Sequence, residues 1–380
     1  MKILADENIP LVHAFFDSLG EVITRPGRQI TRGDLEGISA LLVRSVTQVD
    51  RALLKGSPVE FVGTCTIGVD HLDQAHFAEA GINWSSAPGC NANSVVEYVY
   101  SALCSLDVNW LKARVGIIGC GNVGGLLYRR LKLQGVECVC YDPFLSLEQN
   151  PDLTSLEDVL DCDLICLHTP LTKSGPHPSF HLLGEAELRR LKPGAVLLNA
   201  GRGPVVDNQA LNRVLAGRPD LRVVLDVWEP EPDISLSLLD QVAIGTPHIA
   251  GYSHDGKLKG TEMIYQALCR HLKVSPGLSL RELVPPLADN RLQCPPGDDW
   301  QSLKSLVASV YDIGADDSAL RQLAVDGVEG FGRGFDGLRK HYPVRREFHN
   351  YRVEPAQGQA LSPRLKTWLT QLGFGVADSN

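Results

Sequence analysis

Residues 114–142, RVGIIGCGNVGGLLYRRLKLQGVECVCYD, carry the clearest structural pattern in this chain. An apolar run leads into the turn Gly119-Cys120-Gly121-Asn122-Val123-Gly124, a helical pattern follows, and a second apolar run ends at Asp142. Strand, glycine turn, helix and strand within about thirty residues are typical of a mononucleotide-binding βαβ unit. This context, more than the three glycines alone, favours a nucleotide site over an ordinary structural turn.

Each glycine of the turn has its own physical reason. The first permits the tight turn, the second lets the backbone approach a pyrophosphate, and the third lets helix and strand pack closely. The helix then offers free N–H groups and the positive end of its dipole to the phosphates. Asp142, eighteen positions after the third glycine, can accept hydrogen bonds from ribose hydroxyls and would repel a 2′-phosphate. We therefore predict NAD rather than NADP as the cofactor, held by Gly119, Gly121, Asn122, Val123, Gly124 and Asp142.

Apolar runs separated by helix-like stretches continue on both sides of this unit. The first ninety residues contain KILAD, SALLVRS and VEFVGT, and the later sequence contains CDLICLHTP, GAVLLNAG, LRVVLDVW and QVAIGTPH. Strands that alternate with helices predict an α/β protein with doubly wound parallel sheets. Proline-rich, polar sequence from Gly277 to Pro296 indicates a domain border.

The composition limits the classes of function. The 380 residues, 44% of them hydrophobic, predict a globular protein of two or three domains. A formal net charge of −9 argues against nucleic-acid binding, and no stretch is long and apolar enough for a transmembrane helix. The ten cysteines form no C-x-x-C pair, so we expect buried, reduced thiols and no metal site. Because MKILADENIP has no apolar leader-like run, the expected location is the cytoplasm.

Three polar side chains follow predicted strands downstream of the nucleotide unit. Arg202 lies in LLNAGRGPVVD, Glu231 in LDVWEPEP and His248 in GTPHIAGYS. Taken singly, each residue is more often structural or solvated, but the carboxyl ends of parallel strands share one edge of a sheet, so the three can converge. Together they suit hydride transfer from an alcohol. His248 would be the general base, Glu231 would stabilise the imidazolium, and Arg202 would hold a substrate carboxylate and polarise the adjacent C–O bond.

The motifs NAGRGPVVD, LDVWEPEP and TPHIAGYS, downstream of GIIGCGNVG and HTPLT, resemble those of the D-2-hydroxyacid dehydrogenase family. The resemblance implies catalytic roles for Arg202, Glu231 and His248. It implies that the NAD site is also lined by Thr169, Pro170, Ala200, Gly201, Arg202, Asp226 and Gly251. It implies substrate contacts from Arg44, Ser45, Thr66, Gly68 and Tyr252. His168 is a rival general base by residue type, but its place at a nucleotide-side strand end favours a structural or cofactor-contact role.

The same resemblance implies an inserted nucleotide domain. The expected ranges are 1–92 and 252–285 for a flavodoxin-like substrate domain, 93–251 for a Rossmann NAD-binding domain, and 286–380 for a C-terminal α+β dimerisation domain. The implied protein is a homodimer, and its implied substrate is a small phosphorylated sugar acid.

The segment GFDGLRKHYPVRREFHNYRV, residues 334–353, is strongly basic within an acidic protein. Such runs are usually solvated surface, but the planar fork of arginine also suits phosphate. We therefore name Arg346, with Arg345 beside it, as a candidate contact to the substrate phosphate across the two-fold axis of a dimer.

Two alternatives stay open at this point. One is another 2-hydroxyacid dehydrogenase, of the 3-phosphoglycerate or hydroxypyruvate type. The C-terminal hundred residues show no evident ligand-sensing βαββαβ pattern, which disfavours the phosphoglycerate type. The other is a non-catalytic NAD-sensing protein on the same scaffold. The intact Arg–Glu–His set argues against it, because binding alone needs no general base.

Overall fold

The fold was analysed in a computed structural model that describes residues 1–325, 330–356 and 360–377. The chain forms two compact units, one of residues 1–91 and 253–287 and the other of residues 92–252 and 288–380. Helices and strands are numbered along the chain. None of the described helices is long and apolar enough to cross a membrane.

The first unit is built on a parallel sheet of five strands in the order β2-β1-β3-β4-β5. Its elements are β1 Lys2–Asp6, α1 Val12–Phe16, β2 Glu21–Arg25, β3 Ala40–Val43, α2 Arg51–Leu54, β4 Phe61–Thr64, α3 Gln74–Ala80, β5 Asn83–Ser85, α10 His254–Leu272 and α11 Leu280–Leu283. Strands β1, β3 and β4 fall within KILAD, SALLVRS and VEFVGT, as the apolar runs predict. One face of the sheet packs on α1 and α10, where Phe15 and Phe16 contact the ring of Tyr265.

The second unit is built on a parallel sheet of six strands in the order β11-β10-β9-β8-β6-β7. Its elements up to residue 252 are α4 Ala92–Ser105, β6 Val115–Ile118, α5 Asn122–Leu133, β7 Cys138–Tyr141, α6 Leu156–Leu160, β8 Leu164–Leu167, α7 Glu185–Arg190, β9 Val196–Asn199, α8 Asn208–Gly217, β10 Arg222–Leu225, α9 Leu236–Gln241 and β11 Ile244–Gly245. All six strands lie in the apolar runs quoted above, which confirms the predicted parallel α/β fold. The strand order reverses between β6 and β8, and ligands of such sheets bind at that point, beyond the carboxyl ends of the strands.

Residues 288–380 belong to the same unit as the six-stranded sheet. Their described elements are β12 Arg291–Gln293, α12 Asp299–Val310, α13 Ile313–Val325, α14 Phe331–Lys340, β13 Arg352–Glu354, α15 Pro363–Leu372 and β14 Gly375–Val376. The three strands form a small parallel sheet in the order β12-β13-β14. Apolar side chains of α12 and α15 share a core with α4 and α5, whereas Phe331 and Phe335 of α14 join the core on the other side, with α8 and α9. Whether this α+β segment is a separate dimerisation domain stays a prediction.

All ten cysteines are buried free thiols, as the apolar runs around them predict.

Candidate active site

The glycine turn follows β6 and opens α5 at the reversal of strand order. Gly119 has a φ of +85°, and a Cβ at this position would lie 3.0 Å from the Cα of Thr169. A Cβ on Gly124 would lie 2.0 Å from the carbonyl oxygen of Gly119. A Cβ on Gly121 would meet nothing within 4 Å, so this glycine borders open space. The first and third glycines therefore serve close packing, and the second leaves the backbone open to a ligand.

The start of α5 is available to an anion. Its N-cap residue, Gly121, makes no side-chain cap, whereas Asp207 caps α8 and Ser253 caps α10. The first N–H groups of a helix lack intrahelical partners, so those of Asn122 and Val123 can face phosphate oxygens.

Asp142 lies beside this turn at the end of β7. Its Oδ2 accepts the backbone N–H of Cys120 at 2.9 Å, and its Oδ1 accepts that of Phe144 at 3.0 Å. Each carboxylate oxygen keeps a second lone pair, which can accept a ribose hydroxyl. The contact of Asp142 with the ribose stays a prediction.

Buried polar atoms follow β8 on the other side of the reversal. Neither ring nitrogen of His168 nor the Oγ1 of Thr169 has a hydrogen-bond partner among the described residues. Burial lowers the pKa of His168 to about 4, so the ring is neutral at physiological pH and poorly suited to accept a proton there. Buried polar groups normally have partners, so these atoms fit a site that a bound nucleotide completes.

His248 and Glu231 form a hydrogen-bonded pair. His248 Nδ1 lies 2.8 Å from Glu231 Oε2, and Glu231 Oε1 accepts the N–H of Trp228 at 2.9 Å. Burial raises the pKa of Glu231, but the hydrogen bond and charge of His248 and the Trp228 N–H together outweigh it, so the pKa lies below its ordinary value. The ionised carboxylate can only accept, so Nδ1 carries the proton and Nε2 is left to act as a base.

Asp226 holds the turn that presents His248. The residue is 1% exposed, and its Oδ1 accepts from Thr246 Oγ1 at 2.7 Å and from the Ile249 N–H at 2.8 Å. Its Oδ2 accepts the Ala250 N–H at 3.0 Å. His248 itself has a φ of 56°, a conformation that side chains adopt at a cost and that such bonds maintain. Asp226 therefore positions His248 through this turn, and its expected contact with the cofactor stays a prediction.

Arg202 follows β9 and is half-buried. Its Nη1 donates to the carbonyl of Gly201 at 2.9 Å. A Cβ on Gly203 would lie 1.8 Å from the carbonyl oxygen of Trp228, so the Arg202 loop passes directly against the loop that carries Glu231. The buried Asn208 joins the same two loops, since its Nδ2 donates to the carbonyl of Val206 at 2.9 Å and its Oδ1 accepts the N–H of Glu229 at 3.1 Å.

Comparisons with known proteins identify the family of this chain. Residues 105–250 match the family described as D-isomer specific 2-hydroxyacid dehydrogenase, NAD binding domain, and residues 283–373 match a family described only as a domain of unknown function. Erythronate-4-phosphate dehydrogenase of Cellvibrio japonicus is 65% identical over 98% of this chain and 99% of its own length. The protein of that name from Teredinibacter turnerae is 50% identical over 99% of both chains. The chain belongs to the erythronate-4-phosphate dehydrogenase family. NAD is its cofactor.

Solved structures of other 2-hydroxyacid dehydrogenases share the fold. A 3-phosphoglycerate dehydrogenase of Entamoeba histolytica with bound NAD⁺ gives a TM-score of 0.60 at 21% identity, over 72% of this chain and 95% of its own. D-lactate dehydrogenase of Aquifex aeolicus, complexed with NAD and lactic acid, gives 0.56 at 21% identity, over 72% of this chain and 96% of its own. At this level of identity the likeness confirms the fold alone.

The remaining residues predicted for the cofactor lie at the same edge of the six-stranded sheet. Thr169 and Pro170 follow β8, Ala200 and Gly201 follow β9, and Gly251 belongs to the loop after β11. Because these strands are parallel neighbours, their following loops share the carboxyl edge with the glycine turn. Direct contacts from these residues to NAD stay predictions.

Four residues predicted for the substrate lie in the first unit. Arg44 and Ser45 follow β3, and Thr66 and Gly68 follow the neighbouring strand β4. Thr66 Oγ1 lies 2.7 Å from Thr64 Oγ1 and donates to the carbonyl of Gly68 at 3.3 Å, which orders this loop. Their contact with a substrate stays a prediction.

The basic segment differs from our expectation at Arg345. This residue is 6% exposed, and its Nη2 donates to Ser94 Oγ and to the carbonyl of Ala250. It therefore packs inside its own unit and is not available to a partner subunit. Arg346 is half-buried, and its Nη2 donates to Asn350 Oδ1 at 2.7 Å. A phosphate contact by Arg346 stays a prediction without support from this geometry.

Two features of the site were not predicted from the sequence. One is the bridging Asn208, which in the sequence is an ordinary polar residue beside a helix start. The other is the packing of α14 on the catalytic loop, which places Arg339 near Tyr252. In the sequence, the basic segment 334–353 was the only indication that this helix matters for the site, and its composition does not show which arginine faces the site.

Proposed function

We propose that this protein uses NAD to oxidise 4-phospho-D-erythronate to 2-oxo-3-hydroxy-4-phosphobutanoate, a step on the route to pyridoxal phosphate. The observation that carries the proposal is the His248–Glu231 pair, in a chain 65% identical to a named erythronate-4-phosphate dehydrogenase. The opening MKILADENIP, the loops GTCTIGVDHLD and PGCNANSVVEYV, and the C-terminal extension also resemble that enzyme.

The roles of the residues follow from their chemistry. Arg202 binds the substrate carboxylate and polarises the C–O bond at carbon 2. His248 Nε2 accepts the hydroxyl proton as the C–H electron pair departs, and Glu231 stabilises the resulting imidazolium. NAD, when bound, supplies the acceptor for that hydride. The glycine turn, the start of α5 and Asp142 would hold the dinucleotide.

The test is turnover of the purified protein with NAD and 4-phosphoerythronate, measured by NADH absorbance and by mass spectrometry of the product. His248→Ala should lower the turnover rate by about 10²–10⁴, the usual contribution of a general base. His13→Ala is the matched control, since the side chain of His13 is 57% exposed. Faster turnover of 3-phosphoglycerate or a hydroxypyruvate-type substrate than of 4-phosphoerythronate would identify a different dehydrogenase. Absence of hydride transfer with every 2-hydroxy acid would favour an NAD sensor.

The assembly and location belong to the same proposal. By resemblance, residues 286–380 would form a homodimer, and the protein would act in the cytoplasm. Light scattering of the full chain during gel filtration should give twice the mass of one chain, and a single-chain mass would exclude the dimer.

A further inference from the structure

Helix α14 is seated on the loop that carries Glu231. Phe331 and Phe335 are buried in the same apolar cluster as Trp228 and Ile234, which flank that loop. A Cβ on Gly332 would lie 2.6 Å from Asp233 Oδ1, so the helix backbone approaches the loop closely. The C-terminal segment is therefore part of the catalytic face of its unit.

Arg339 occupies the last turn of this helix. Its guanidinium carbon lies 5.8 Å from the ring centroid of Tyr252, a residue predicted to contact the substrate. Burial raises the pKa of Glu231, and the charge of Arg339 is among those that lower it, which places the guanidinium within electrostatic reach of the catalytic carboxylate. Arg339 thus brings a positive charge to the region of Tyr252 and Glu231.

The hydrogen-bonding capacity of Arg339 is largely unused. Its Nε is buried and has no hydrogen-bond partner among the described residues. Its ion pair with Asp336 has an Nη1–Oδ1 distance of 3.6 Å, too long for a hydrogen bond, and that aspartate side chain is 60% exposed. A guanidinium has five N–H donors in a rigid fork, and a buried donor without a partner is costly. A bound anion would supply the hydrogen-bond acceptors that these N–H groups lack.

We propose that Arg339 binds the phosphate group of the substrate. This inference rests on the proposed function, in which the substrate has a carboxylate at one end and a phosphate at the other. Arg202 serves the carboxylate, so the phosphate needs a second cation on the same face. The fork of an arginine binds two phosphate oxygens at once, and the nearby ring of Tyr252 attracts the guanidinium by a cation–π interaction. Arg339 lies within residues 283–373, so this segment of unknown function contributes directly to substrate recognition.

The test compares two substrates that differ only in the phosphate. Arg339→Met keeps an apolar stem over Tyr252 and removes the charge. With the holoenzyme, it should lower kcat/KM for 4-phosphoerythronate by about 10- to 100-fold, with little change for erythronate. Arg339→Lys should lose less, because it keeps the charge without the fork. The matched control is Arg333→Met on the same helix, whose side chain is exposed, and it should leave both substrates unaffected.

The alternative roles of Arg339 give different results. Equal losses for both substrates, or no loss for either, would overturn the phosphate contact and leave a role in packing or in the charge of Glu231. Turnover of erythronate also shows that the variant is folded.

A second measurement separates this inference from the proposed function. Inorganic phosphate should raise the melting temperature of the NAD-saturated wild type and of Arg333→Met, but not that of Arg339→Met. If the wild type oxidises neither substrate, the proposed function fails, and this shift alone decides for or against an anion site at Arg339. A wild type that phosphate does not stabilise, or a shift that survives in Arg339→Met, would overturn the inference.

Discussion

Arg345 Nη2 donates to the carbonyl oxygen of Ala250 at 2.6 Å, two residues beyond the proposed general base. The same guanidinium lies 4.2 Å from the ring centroid of Tyr311. Burial raises the pKa values of Glu97 and Asp316 nearby, and the positive charge of Arg345 opposes that rise in both. A buried cation from the C-terminal segment therefore supports the turn that presents His248 and lies within electrostatic reach of two buried carboxyl groups.

Replacing Arg345 by Met should destabilise the protein. The change removes the charged donor from the buried carbonyl oxygen of Ala250, and the loss of a hydrogen bond to a charged group typically costs about 1.5–3 kcal/mol. Urea unfolding of the full chain at pH 7 measures the loss, with Arg352→Met as the control because Arg352 is exposed. A decrease in the free energy of unfolding below about 1 kcal/mol, the size expected of a surface ion pair, would show that the buried guanidinium of Arg345 does not stabilise the fold.

Glu231→Gln should slow the oxidation. As His248 Nε2 takes up the hydroxyl proton, the ring becomes positively charged, and the Glu231 carboxylate at 2.8 Å stabilises that charge. The turnover rate should therefore fall by about 10-fold or more, since a neutral amide cannot stabilise the imidazolium in the same way. Glu229→Gln is the control, because Glu229 pairs with His181 instead, at 2.9 Å. An unchanged turnover rate in Glu231→Gln would show that the charge of Glu231 does not assist His248.

The sequence predicted those parts of the fold that depend on local pattern. Every strand of the six-stranded sheet lies in an apolar run, and the glycine turn joins β6 to α5 as its spacing indicates. His248 and Glu231 are in contact, which follows from their places after neighbouring parallel strands. These features can be predicted because hydrophobic periodicity, glycine spacing and strand ends each depend on a few consecutive residues.

The contacts between distant residues could not be read in this way. Arg345 is a basic residue in a basic run, and nothing around it in the sequence indicates burial on a carbonyl 95 positions away. Asp226 ends a strand as a ligand-binding residue would, and nothing in the sequence indicates that its carboxylate also accepts the backbone N–H groups of Ile249 and Ala250. Long-range packing decides which polar side chains face a ligand and which face the protein.

Asp142 should determine the choice of cofactor. Asp142→Ala should weaken NAD binding by about 1.5–3 kcal/mol, the value of hydrogen bonds to a charged group, and should reduce the preference for NAD over NADP. Asp142→Asn separates two effects, because it keeps an oxygen for the N–H of Cys120 or Phe144 while removing the charge that repels a 2′-phosphate. Titration of each variant with both nucleotides, followed by calorimetry, gives the two affinities. Unchanged affinity of Asp142→Ala for both would remove this residue from the nucleotide site.

His168 should make the folded protein sensitive to acid. Burial lowers its pKa from 6.5 to about 4, so the unfolded chain takes up a proton before the folded chain does. The neutral ring of His168 therefore stabilises the folded chain fully above pH 6.5, and this contribution to the free energy of unfolding is lost as the pH falls toward 4. Each unit of pH within this window costs about 1.4 kcal/mol, so between pH 7 and pH 5 the wild type should lose about 2 kcal/mol more than His168→Gln. Urea unfolding without added nucleotide measures the difference, and His13→Gln, at an exposed position, should behave as the wild type. Parallel losses in the wild type and His168→Gln would show that the folded protein accommodates a charged ring at this position.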